Sequence, residues 1–194
     1  MSKIARATLL GASALALALS FGGVSTPSFA EMKEAAVTVG GAPMFPSKNI
    51  IENAVNSKDH TTLVAAVKAA GLVDTLSGKG PFTVFAPVNG GFDKLPDGTV
   101  ASLLKPENKG TLTGILTYHV VAGKMSAADL AAKAKEMGGK VELKTVAGGT
   151  ITVTGENGGW VVVDAKGGKS KITIADVNQS NGVIHVVDSV LLPN

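Results

Sequence analysis

No cysteine occurs anywhere in the 194 residues. That absence excludes a disulfide framework, and it also closes the bacterial lipoprotein route, which acylates a cysteine at the cleavage point. Aromatic residues are scarce too: one Trp, one Tyr and six Phe. With so few stacking surfaces and no basic stripe, the chain lacks the means by which proteins grip nucleic acid. After residue 30 there is no apolar run near the roughly 18 residues of a membrane span, and no hydrophobic tail of the lipid-anchor kind. Without disulfides or an anchor, the folded part depends on its own hydrophobic core.

The one long apolar run lies at the start. Lys3 and Arg6 form a positive region, Leu9 to Phe21 an Ala- and Leu-rich stretch, and Ser28-Phe29-Ala30 the small residues at −3 and −1 that signal peptidase requires. Residues 1–30 therefore read as a secretory signal cleaved after Ala30, giving a periplasmic or secreted product. Removing Lys3 and Arg6 leaves 16 basic against 15 acidic residues, so the mature charge is +1 rather than the formal +3. Residues 31–45, with Gly40, Gly41 and Pro43 and no clear apolar period, read as a flexible leader. Residues 46–193 are long enough for one domain.

Within that domain the pattern changes character midway. Ile50, Ile51, Ala54 and Val55 recur at helical spacing behind Ser47 or Asn49 as caps. A second helix begins near Asp59 and stops at Gly71, and Leu72 to Leu76 continue as a third. Phe82 to Ala86, bracketed by Pro81 and Pro87, is a buried strand sharply bounded by the missing donors. Helical patterns return over Thr99 to Leu104 and Lys109 to Thr117, and Ser126 with Asp129 forms a capping box for an Ala-rich helix reaching Met137. From Lys140 to Pro193 the period is two, ending in a strand from Val183 to Leu192, with turns at the Gly- and Asn-rich segments. Helices first and an antiparallel meander second predict an α+β domain.

Three stretches within this frame carry a family resemblance. Gly80-Pro81-Phe82-Thr83-Val84-Phe85-Ala86-Pro87 is followed by Asn89 and Phe92; Tyr118-His119 comes next; Asn181-Gly182-Val183-Ile184-His185-Val186-Val187-Asp188 closes the chain. In order and spacing they resemble the conserved motifs of fasciclin-like (beta-Ig-h3/fasciclin) domains, over about Phe45 to Pro193. The resemblance implies a wedge-shaped β-sandwich flanked by several helices, and adhesion as its role. One departure is Val88-Asn89-Gly90-Gly91-Phe92, where Val88 stands in place of the family's Thr and two glycines raise local flexibility.

His60, His119 and His185 are the only imidazoles, and none reads as a metal ligand: His60 stands with Asp59 at a helix start, where exposure and capping account for it, His119 reads as a satisfied structural histidine, and His185 on a buried strand needs a hydrogen-bond partner. Ser189, His185 and Asp188 could suggest a hydrolase triad, but alternation along one strand turns Asp188 away from the other two, and no Gly-x-Ser-x-Gly elbow exists. No catalytic residues, metal or cofactor are expected. The expectation is a non-catalytic adhesion or surface-interaction module whose partner is a cell-surface or matrix protein or polysaccharide. Tyr118, His119, Asn89, Phe92, His185 and Asp188 are the candidate interaction residues, the first two because the Tyr-His region is associated with integrin recognition in animal relatives. The rival reading is a periplasmic carrier holding a small molecule or lipid in a groove between helices and sheet. The sequence does not fix the oligomeric state.

Overall fold

Asn49 starts the first helix as the periodicity requires: its side chain accepts the Glu52 N–H at 2.9 Å, and the Glu52 carboxylate accepts the Asn49 N–H at 2.8 Å. In the computed structural model, which describes residues 35–194 with Asn157 excepted, this helix α1 spans Ile50–Ala54. The expected signal segment and its cleavage point lie outside the described residues. A 3₁₀ turn at Lys58–His60 leads into α2, Thr61–Ala70, which Gly71 ends at φ 74°, and α3 follows over Val73–Ser77. The later helices are α4 (Asn89–Phe92), α5 (Thr99–Leu103), α6 (Lys109–Tyr118) and α7 (Ala127–Glu136), the last opened by the Ser126–Asp129 capping box.

The strands are β1 (Val37–Val39), β2 (Ala42–Met44), β3 (Phe82–Pro87), β4 (Val120–Ala122), β5 (Lys140–Lys144), β6 (Thr150–Glu156), β7 (Gly159–Val163), β8 (Lys169–Gln179) and β9 (Gly182–Val187). Seven of them form one sheet in the order β4-β3-β9-β8-β7-β6-β5, of which β5 to β9 are the antiparallel meander. The meander is joined to the first half of the chain by a parallel pairing of β3 with β9, from Phe82 opposite Gly182 to Pro87 opposite Val187. At the far edges the sheet folds toward itself, since Val121 bridges Thr145 and the Val146 N–H reaches the Val120 carbonyl at 2.7 Å.

The β3–β9 pair is a wall between two cores. Because strand side chains alternate, Val84, Ala86, Ile184 and Val186 face the helices and pack with Leu63, Val67, Leu112 and Leu116. Phe85 and Val187 face the other way and pack with Tyr118, Leu130, Ile151, Val153 and Leu191. The proline-bracketed strand and the closing Val/Ile strand are thus neighbours in the interior, as their apolar faces imply.

Three expectations are corrected. Residues 31–45 are not a flexible leader throughout: β1 and β2 form a hairpin, Val39 and Met44 are buried in the helix-side core, and the Asn53 side chain bonds both the N–H and the carbonyl of Phe45. The Val88–Phe92 segment is not loosened by its glycines. It forms the short helix α4, with Val88 as an N-cap lacking any side-chain bond, and Gly91 lies where a Cβ would stand 3.1 Å from the Asp188 carbonyl oxygen. The last strand ends at Val187 rather than continuing to Leu192. There the Asp188 carboxylate, not a carbonyl, accepts the Lys171 N–H at 2.9 Å and ends the regular ladder.

Candidate functional site

Tyr118 and His119 stand at the C-terminal end of α6, where the helix hands over to β4. Both are buried. The Tyr118 hydroxyl donates to the Thr150 carbonyl at 2.7 Å and accepts the Ala165 N–H at 3.0 Å, so it joins the turn before β6 to the turn after β7. Its ring lies against Gly149, where a Cβ would come within 2.7 Å of Cε2. Burial pushes the phenol above its ordinary range, the Ala165 N–H opposes this, and Asp164 adds to it.

His119 accepts the Leu191 N–H on Nε2 at 2.9 Å, which leaves the proton on Nδ1, 2.8 Å from the Ile115 carbonyl. Complete burial lowers its pKa to about 4, against the opposing pulls of the Ile115 carbonyl and Asp164. His185 has the opposite tautomer. Nδ1 accepts the Asp176 N–H at 3.3 Å, and Nε2 donates to the Met125 carbonyl at 2.9 Å. Its ring stacks on Phe85 with centroids 5.6 Å apart, and burial lowers its pKa despite the Met125 carbonyl and Asp176. Each imidazole therefore ties its own neighbourhood to one remote backbone group, Leu191 for His119 and Met125 for His185, while remaining neutral.

The other candidates are also engaged internally. The Asn89 carbonyl oxygen accepts the Thr62 N–H at 3.0 Å and the Thr61 hydroxyl at 3.2 Å, capping α2 from a different element, and its amide donates to the Lys58 carbonyl at 2.8 Å. Phe92 is buried in the helix-side core. Asp188 accepts from Lys171 N–H and, at 3.0 Å, from the Ser189 hydroxyl, with Lys94 3.4 Å away. Burial alone would raise its pKa, but those donors and the lysine outweigh it and hold the carboxylate below its ordinary range.

The six residues do not converge on one exposed surface; each is bonded or packed within the fold. The reason is geometric, since strand β9 and the end of α6 are enclosed between the two cores. The triad geometry is corrected in one detail. Asp188 and Ser189 are bonded to each other rather than opposed, because strand alternation stops at Val187, yet both His185 nitrogens are held by backbone, so His185 does not reach Ser189. His60 is buried rather than exposed and makes no side-chain cap bond to α2; its Nδ1 lies 2.9 Å from Ser57 Oγ. Its Nε2 has no partner in hydrogen-bond geometry. Burial lowers its pKa, with the Ala86 backbone and Asp59 acting the other way. Among the described residues no three His, Cys, Asp or Glu side chains gather as metal ligands.

Sequence reasoning missed two organising acids. Asp176 adopts φ 57°, the left-handed region, within an irregular stretch of β8, and its carboxylate accepts the Ala127 N–H at the head of α7 at 2.7 Å. Asp164 caps its own turn through Lys166 and Gly168 N–H and takes the Leu192 N–H at 3.0 Å. The second was signalled by the Asp-x-x-Gly turn pattern; the first had no local signal.

With this geometry in view, the comparisons with known proteins are consistent from three directions. The family described as the fasciclin domain matches residues 58–193. Protein sll1483 of Synechocystis sp. is 46% identical over 173 residues, covering 88% of this chain and 89% of that protein. The cell surface glycolipoprotein MPB83 of Mycobacterium bovis is 37% identical over 122 residues, which is 63% of this chain and 48% of that one. Among solved structures, a FAS1 domain pair from the insect cell adhesion molecule fasciclin I superposes with a TM-score of 0.68 at 24% identity, over 76% of this chain and 52% of that chain. This chain belongs to the fasciclin domain family.

Proposed function

We propose that the protein is an exported, non-catalytic surface-interaction module that promotes attachment by binding a component of a cell surface or matrix. One observation carries the reading: the motif residues with chemically capable side chains are neutral or carry their bonds inward, so loops and helix flanks are what the fold turns toward a partner. The name of MPB83 places that relative at a cell surface, and the name of the insect protein describes adhesion. Among the described residues no helix is long and apolar enough to cross a membrane.

The space between helices and sheet, where a carried molecule would sit, is an apolar cavity of about 40 Å³ bounded by residues such as Ile50, Leu63 and Ile184. Ligand pockets run to roughly 300–1,000 Å³. The size favours interaction at the surface over carriage inside. Attachment of a deletion strain, measured with and without the purified mature protein, tests the proposal. Loss on deletion and recovery on addition are expected; unchanged attachment across several surfaces would overturn it.

A further inference from the structure

One end of the sheet carries a groove that the motif reading did not use. It lies where the α3–β3 loop, the turn after β4 and the β8–β9 turn meet, and it encloses about 540 Å³. Lys79 and Lys124 both line it, from segments more than forty residues apart in the chain. Both are exposed, and neither belongs to an ion pair among the described residues. No Asp or Glu lines the groove.

The floor is rigid. The Asn181 side chain accepts the Ile50 N–H at 3.0 Å and donates to the Leu76 and Gly78 carbonyls at 2.8 and 2.9 Å, and its own carbonyl accepts the Phe82 N–H at 3.1 Å. Backbones approach so closely here that a Cβ on Gly80 would stand 1.9 Å from the Asn181 oxygen, and one on Gly182 would stand 2.1 Å from the Phe82 oxygen. Ser77, Gln179 and Ser180 add polar residues to a lining that also includes Pro81 and three glycines.

We infer that this groove binds an acidic polysaccharide, with the Lys79 and Lys124 ammonium groups pairing carboxylates on the sugar chain and Ser77 and Ser180 bonding its hydroxyls. In a chain whose mature charge is near neutral, two unpaired lysines facing one acid-free hollow are a local excess matched to a polyanion. A polysaccharide fits better than a membrane surface because the exposed large apolar residues, Phe45, Val55, Met137 and Val146, all lie outside the lining. The inference rests on the surface-interaction reading and supplies a partner class for it.

The test is titration of the purified mature protein with a uronate oligosaccharide, with a neutral glucose oligomer of equal length and with anionic phospholipid vesicles as the other arms. Uronate binding that weakens with added salt, with no binding of the neutral oligomer or the vesicles, is expected. Lys79→Gln/Lys124→Gln should weaken it by about tenfold, and Ser180→Glu, which places an acid in the groove, should abolish it. Lys140→Gln/Lys144→Gln, an equal charge change on β5, should leave it intact. Equal loss in both lysine pairs would mean unspecific charge attraction and would overturn the site, as would absent uronate binding or preference for vesicles. Thermal melts of each variant separate binding loss from unfolding. Uronate binding without any attachment phenotype would refute adhesion while sparing the groove; attachment without uronate binding would do the reverse.

Discussion

Lowering the pH from about 7.5 to about 5 should weaken the fold through His119. In the native state its pKa is about 4 because the ring is fully buried, whereas the unfolded chain restores the ordinary 6.5. Between these values the unfolded chain binds the proton and the native one does not. The stabilising effect is therefore complete above the ordinary value, declines as pH falls, and is exhausted below the native value. The full gap corresponds to about 3 kcal/mol, and about 2 kcal/mol of it should disappear over the stated interval. His60 and His185 are lowered by burial as well and add in the same direction. Asp129 and Asp188 are held below the ordinary carboxylate value, so their contributions persist until more acid conditions. Urea denaturation at both pH values measures the difference, and His119→Asn should remove most of the histidine's share of the slope. A stability change under about 0.5 kcal/mol in the parent protein would refute the assignment of His119 as a buried, neutral joint.

Other perturbations address single joints. Tyr118→Phe leaves the Thr150 carbonyl and the Ala165 N–H without their partner, and should lower urea-derived stability by about 1–3 kcal/mol; no change would show that water replaces the hydroxyl. Ile184→Ala empties a buried position on the helix face of β9 and should cost about 2–5 kcal/mol, while a loss below about 1 kcal/mol would contradict its interior placement. Asn89→Ala removes the remote cap of α2 and should cost about 1 kcal/mol, seen as faster amide exchange at Thr62; unchanged exchange there would contradict the cap.

What the sequence reveals here follows the range of the forces involved. The Asn49 and Ser126 capping boxes, the Gly71 stop and the alternation of β5 to β9 are governed by neighbours within a few residues, and all are readable. The parallel β3–β9 pairing is not, because an apolar run buried on both faces looks alike whether its neighbour is parallel or antiparallel. Tyr118, His119 and His185 were identified by their motifs, yet their partners Thr150, Ala165, Leu191 and Met125 are contributed by segments with no distinguishing residue type. Backbone groups supply those bonds, and every residue has them. Hence the sites and their internal bonding are legible in the sequence, while the segments that supply their partners are not.

The hairpin at Val37–Met44 shows the same limit and yields a decisive experiment. Its strands have three residues each, too short for a period of two to register, although Gly40-Gly41 at φ 58° and 76° is the two-residue turn that favours left-handed residues at both positions. Starting the chain at residue 46 would strip Val39 and Met44 from the helix-side core and leave the Asn53 side chain, which also bonds Gln179, without its Phe45 partners. Burial of a Val and a Met contributes about 3–6 kcal/mol together, and an orphaned buried amide adds a further penalty of about 1–3 kcal/mol. A total of that size approaches the whole stability of an ordinary domain, about 5–15 kcal/mol. The shortened chain should be unfolded or nearly so by circular dichroism and proteolysis, whereas a chain starting at residue 33 should match the parent. Equal urea midpoints for the two would mean that the hairpin only rests on the domain, and the domain would then begin at α1.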